Sequence, residues 1–215
     1  TRFLSDDRPL KTSIQNFGVF YPPRLLKQGD ELKIIDGALR IKISKEAGHK
    51  DIVCFVYEAS QLDIPNAFLM CLELNHWSRK FNIVEKAYFI KAAHEIYGGQ
   101  NIPKAFWAIT DVLQNIRAIH QYQDVLKLPE IVQKYAINNH IPLPVILGFL
   151  KFPKDEIERI ATQLFVLPLN QNKLFEILNL LADISKKEMA SPLSIIADIL
   201  PEMELEFNAQ KREQL

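Results

Sequence analysis

Apolar residues recur along the chain in two styles, and the change between them falls near residue 60. Before that point the runs are short and mixed. Leu10, Ile14 and Phe17 stand at helical spacing in "PLKTSIQNFG", and Gly18 supplies a natural stop. "VFYPPRLLKQGDELKII" gives two apolar runs on either side of Gln28-Gly29-Asp30, the pattern of a hairpin. A corner follows at Asp36-Gly37, and "ALRIKISKEAG" predicts a helix running to Gly48. "DIVCFVYEA", rich in β-branched and aromatic side chains, predicts a strand.

From about residue 62 onward only helical periodicity remains. "DIPNAFLMCLELN" opens with Asp63 as a cap and Pro65 in the first turn. Asn82 precedes Glu85 by three residues, the reciprocal capping pattern, and the helix it starts stops at Gly98-Gly99. Further helices are predicted over 103–113, 116–126, 130–138, 143–151, 155–165, 171–184 and 192–200, punctuated by Pro129, Pro142, Pro144, Pro153, Pro168 and Pro192. The chain shows no fixed-period repeat. The fold class is α+β: a small mixed unit followed by an all-helical domain.

Composition changes this picture little. The 215 residues suffice for one large domain or two small ones, and 48% hydrophobic with 24% charged residues is ordinary for a soluble globular chain. Cys54 and Cys71 are the only cysteines and form no C-x-x-C pair. That argues against a disulfide framework or a cysteine-rich zinc site and predicts a reducing, cytoplasmic setting. No run reaches the length of a membrane span, and no secretory leader is visible. The chain starts at Thr1 rather than methionine, which predicts a trimmed N-terminus.

Net charge is zero but unevenly spread. Residues 1–100 carry 14 basic and 12 acidic groups, 101–154 carry 6 and 3, and 155–215 carry 6 and 11. A mildly basic middle third permits phosphate contacts there without demanding them.

The chemistry begins at the corner, "IIDGALRIKISKEAG". Arg40 lies in the first turn of the helix that leaves Asp36-Gly37. Backbone N–H groups at a helix start, with a guanidinium beside them, can hold a phosphate. An ordinary turn followed by a solvated arginine explains the same residues. Elsewhere the signals are weaker. The five histidines show no metal-ligand spacing, and Trp77 and Trp107 read as core residues. Asp36, Glu73 and Glu85 could be imagined as nuclease carboxylates, but capping and solvation account for Asp36 and Glu85.

Taken in order, "SIQNFGVFYPP", "ELKIIDGALRIKISKEAG" and "LNHWSRKFNIVEKA" resemble the N-terminal domain of the ParB family of chromosome- and plasmid-partition proteins. That family shows a strand ending in glycine-x-x-arginine and an asparagine-x-x-arginine box. "NIVEKA" is close to its asparagine-proline-isoleucine-glutamate-glutamate-alanine, and "DVLKLPEIVQKYAINNHIPLPVILGFLKFPKDE" resembles its segment after the helix-turn-helix. The resemblance spans about residues 8 to 190. It implies a ParB/sulfiredoxin-like N-terminal unit over 1–80, a helical domain with a helix-turn-helix over 81–190, and a C-terminal helical segment over 191–215. A dimerisation segment would follow that last part.

The resemblance further implies that cytidine triphosphate (CTP) and Mg²⁺ bind the N-terminal unit. Gly37 and Arg40 would face the phosphates, Asn75 the metal, and Arg79 would clamp a phosphate, with Gly18, Tyr21 and Pro22 lining the base and sugar. In the helix-turn-helix, "IPKAFWAITDVL" would be the first helix, contributing Lys104, and "IRAIHQYQDVL" the recognition helix. Ile116, Ile119 and Val125 suit a buried stripe there, leaving Arg117, His120, Gln121 and Asp124 on an exposed face with Asn115 at its entry. No glycine marks the turn at "VLQNI". Double-stranded DNA, a homodimeric partner and a partition ATPase are the implied partners, a nucleoid-associated cytoplasmic protein the implied setting, and weak CTP hydrolysis the most enzymatic activity.

Two departures from the family stand out. Glycine-glutamate-arginine-arginine is here "GALR", and the glutamate-asparagine-x-x-arginine box is here "LNHWSR", with Arg79 one residue late. On a helix that extra residue turns the guanidinium by about 100°. The alternatives are a ParB-fold nuclease or nucleotide hydrolase, and a protein-interaction module that has lost both ligands. Sulfiredoxin chemistry needs a cysteine where this chain reads "GALR".

Overall fold

A computed structural model describes residues 7–99 and 101–199. The expected segment at 191–215 is helical over 192–199, and residues 200–215 lie outside the described residues, as do residues 1–6 and 100. The architecture is α+β, and the described residues form two compact units. One comprises 7–81 with 91–114, the other 82–90 with 115–199.

Among the described residues, the three strands all lie in the first unit. Helix α1 (Arg8–Phe17) buries Ile14 and stops at Gly18, whose N–H donates to the Ile14 carbonyl and whose φ of 75° suits glycine. Strands β1 (Arg24–Gln28) and β2 (Glu31–Asp36) form the antiparallel hairpin expected around Gly29, and helix α2 (Ala38–Glu46) leaves β2 through Gly37. Strand β3 (Phe55–Glu58) lies parallel to β1, so the sheet order is β2-β1-β3. It is shorter than "DIVCFVYEA" led us to expect because its only partner, β1, begins after Pro22-Pro23, and proline cannot extend the ladder. Its first N–H, of Phe55, donates to the Pro23 carbonyl at 2.8 Å.

Helix α3 (Ile64–His76) starts where Asp63 accepts the Asn66 N–H at 2.8 Å. It lays Ala67 on Leu26 and Ile35 of the sheet, with Met70 and Cys71 packed at the margin. Helix α5 (Lys104–Thr110) packs on α3 through Phe106, whose ring stacks on Phe68 at 6.1 Å.

Helix α4 (Ile83–Tyr97) gives its first turns to the second unit and its last to the first. Asn82 accepts the Glu85 N–H at 2.9 Å while Glu85 accepts the Asn82 N–H at 3.1 Å, so the reciprocal cap is formed. Val84, Ala87, Ile90 and Ala93 are fully buried along one stripe.

The second unit is helical: α6 (Ile116–Val125), α7 (Glu130–Asn138), α8 (Leu143–Leu147) with a 3₁₀ turn over Gly148–Lys151, α9 (Ile157–Leu164) and α10 (Gln171–Glu188). Helix α6 packs on α8, α7 on α9, and α10 on the 3₁₀ turn. Val125, Ile146, Phe149, Ile160, Leu174 and Leu178 form its core. A Cβ on Gly148 would stand 3.2 Å from Leu178, which is how closely α10 approaches that turn.

Candidate functional site

At the corner, Gly37 has φ 93° and ψ 17°, a left-handed conformation that other residues enter only at a cost, and it caps α2 without a side chain. Arg40, one turn into α2, folds back over it. A Cβ on Gly37 would stand 2.9 Å from Arg40 Nη2 and 2.9 Å from the Pro23 Cβ. The guanidinium is therefore seated on bare backbone, and Arg40 Nη2 donates to Asp36 Oδ2 at 2.6 Å. Arg24 reaches the same oxygen from β1, its Nη1 3.7 Å away, while its guanidinium lies 6.0 Å from the Phe55 ring centroid. Arg40 Nε is buried without a hydrogen-bond partner. The solvated-arginine reading of the corner is thus excluded, and Asp36 is neither a cap nor a free carboxylate but the counter-ion of two arginines.

Helix α3 stands close to this cluster. Burial pushes the Cys71 thiol above its usual pKa, and the Asp36 charge pushes it in the same direction. One turn on, Asn75 donates its Nδ2 to the Cys71 carbonyl at 2.8 Å. That bond uses the donor end of the amide, and an amide oxygen is a ligand type magnesium accepts. The Pro22-Pro23 end of the loop from Gly18 meets the corner at the Pro23 Cβ. Tyr21 on that loop is 77% exposed, and Phe17 and Phe20 nearby lie open to solvent with ring centroids 6.0 Å apart.

Two sequence expectations are corrected here. Arg79 is not on a helix: α3 ends at His76, and Arg79 follows in the exit loop, 5.7 Å over the Phe81 ring with Nη1 donating to the Lys80 carbonyl. The 100° rotation inferred from its late position does not apply. Trp77, read as core, is the C-cap of α3 and 81% exposed, whereas Trp107 is buried as expected.

The helix expected to read DNA, α6, begins at Asn115, whose Oδ1 accepts the Ala118 N–H at 2.7 Å. Arg117 and His120 are exposed and Gln121 is half-buried. Asp124 pairs with Lys127, which offsets the negative charge on that face. Val125 is fully buried, but Ile116, placed in the same stripe by its spacing, is 67% exposed. Lys104 is exposed at the start of α5. The turn beyond α5 needs no glycine at "VLQNI" because Asp111 takes the left-handed position, φ 52° and ψ 47°, which aspartate tolerates.

Sequence reasoning named Gly37 and Arg40 but missed Arg24 and the pairing role of Asp36. The four-residue spacing of Asp36 and Arg40 was a legible hint. The approach of Arg24 was not, because it depends on strand register.

Among the described residues, no helix is long and apolar enough to cross a membrane, and no group of three or more His, Cys, Asp or Glu is placed to hold a metal ion. No family model and no curated protein matches the chain. The chain carries a small α+β unit with a strand–helix corner and a helical unit. Solved structures similar to it include two of the C-terminally truncated chromosome-partitioning protein ParB from Caulobacter crescentus. The one complexed to the centromeric parS site is 18% identical, with a TM-score of 0.42 over 83% of this chain and 91% of that one. The one complexed with CTP-γ-S is 20% identical, with a TM-score of 0.32 over 77% and 89%.

Proposed function

We propose that the chain is a ParB-like DNA-binding protein whose first unit binds CTP and whose helical region engages double-stranded DNA, acting in DNA partition or regulation. The observation that carries this reading is the corner itself: a left-handed Gly37 with a guanidinium seated on it, at the position where the ordered motifs call for a phosphate site. Arg40 would hold phosphate, Asn75 would present an oxygen to a magnesium ion carried in with the triphosphate, and Tyr21 with Pro22 and Gly18 would border the base and sugar. Magnesium commonly binds through few protein oxygens and the substrate's own phosphates, so the sparse donor set fits it. The metal would neutralise phosphate charge. The protein's own residues would position the nucleotide, and Arg79 would add a cation from the exit loop of α3. Nucleotide-dependent homodimerisation and contact with a partition ATPase belong to the same reading.

Calorimetric titration of the four ribonucleoside triphosphates with magnesium tests it, on the intact protein and on Arg40→Ala. Selective CTP binding is expected, weakened at least tenfold in the variant, since a charge-assisted guanidinium contact contributes about 1.5–3 kcal/mol. Equal binding of all four favours a nucleotide hydrolase, and binding of none favours a protein-interaction module.

On the DNA side, Arg117, His120 and Gln121 on α6, with Asn115 at its start and Lys104 on α5, are the proposed contacts. Mixed-sequence duplex DNA is expected to bind more weakly as salt rises, and Arg117→Ala to lower the slope of log affinity against log salt by about one. A slope identical to the parent protein would remove Arg117 from the interface.

A further inference from the structure

The corner contains more donor capacity than its own carboxylate uses. A guanidinium offers five N–H donors, and two of them converge here on a single acid. Both named contacts fall on one oxygen, Asp36 Oδ2, at 2.6 Å from Arg40 and 3.7 Å from Arg24. Arg40 Nε is buried with no partner at all. Formal charge over the three side chains is one positive in excess, in a setting where each is only about a quarter to a third exposed. Arg24 is not there by flexibility. Its backbone is paired on both sides, to Phe55 in β3 and to Asp36 in β2, and the strand register shifts between Arg24 and Leu25. A register irregularity of this kind re-aims a side chain. The Phe55 ring beneath the guanidinium completes the seat.

A carboxylate supplies two oxygens in a plane, whereas a phosphate supplies three or more around a tetrahedron and carries more charge. Two converging guanidiniums with spare donors suit the second better. We propose that Arg24 is a second phosphate-binding residue of the corner, and that Asp36 is a built-in counter-anion that holds Arg24 and Arg40 in place until a polyphosphate displaces it. The identity of that polyphosphate as a nucleotide rests on the function proposed above, but the existence of the two-arginine anion site does not.

Inorganic tripolyphosphate, titrated calorimetrically without magnesium against the full chain, separates the two. The parent protein is expected to bind it. Arg24→Gln is expected to weaken tripolyphosphate and CTP alike by about tenfold, with Arg24→Lys falling between. Asp36→Asn is expected to tighten tripolyphosphate binding several-fold, because the competing carboxylate is gone. Far-UV circular dichroism of each variant confirms the fold. Parent-like affinity in a folded Arg24→Gln, weaker binding in a folded Asp36→Asn, or no tripolyphosphate binding by the parent would each overturn the proposal. Tripolyphosphate binding that needs Arg24, together with no binding of any nucleoside triphosphate, would uphold the anion site and reject the nucleotide reading.

Discussion

Gly37→Ala is expected to abolish the phosphate binding proposed for the corner and to destabilise the first unit by about 2 kcal/mol or more. Two physical terms add. The φ of 93° lies in the left-handed region, where a Cβ costs about 1–2 kcal/mol. The new methyl would also stand 2.9 Å from the Pro23 Cβ, a ring that cannot swing aside, and such overpacking costs about 1–3 kcal/mol. The guanidinium of Arg40, 2.9 Å away on a flexible stem, can move, and it will move off its seat. The contrast with Arg40→Ala is the informative part. That variant removes the guanidinium proposed to hold phosphate yet leaves Gly37 unstrained and Asp36 still beside Arg24, so binding is expected to fall with little loss of stability. Urea unfolding followed by circular dichroism, beside the same titrations, reads both quantities. A Gly37→Ala protein with parent stability and parent affinity would mean that the turn relaxes freely and that the anion site does not depend on it.

What the sequence made legible follows from the range of the interactions involved. Caps at Asp63 and at Asn82 with Glu85 are contacts across three residues, and their residue types announce them. Glycine stops at Gly18 and Gly37 are equally local, since a positive φ selects glycine wherever the chain must turn. The start of β3 was not legible, because it is set by where β1 can no longer pair, some thirty residues earlier in the chain. Trp77 misled for a related reason. Its apolar bulk suggests core, but α3 ends one residue before it and its ring is carried out to solvent. Ile116, the first residue of α6, is exposed whatever its spacing from the buried Val125. At the candidate site the pattern repeats. Gly37 and Arg40 share one short stretch and can be read together, whereas Arg24 joins them only through the register of the hairpin.

The largest effect on the molecule is expected far from these charges, at Phe106. Its ring is fully buried, stacked on Phe68 of α3 at 6.1 Å and set edge-on to Trp107 at 5.0 Å. Phe68 in turn lies 6.4 Å from Tyr97, whose hydroxyl donates to the Pro65 carbonyl at 2.6 Å. Phe106 therefore ties α5, α3 and the last turn of α4 into one packed cluster within the first unit. Phe106→Ala removes that ring and leaves a cavity, at a cost of about 3–5 kcal/mol. A loss of that size approaches the whole stability of a small domain. Because α3 also carries Cys71 and Asn75 and packs on β2 beside the corner, the proposed nucleotide binding is expected to vanish without any proposed ligand contact having been touched. The second unit keeps its own core around Phe149, Ile160 and Leu178. Urea unfolding of the variant is accordingly expected to show an early transition split from a later, parent-like one. A single transition, shifted as a whole, would instead show that the two units unfold as one cooperative body.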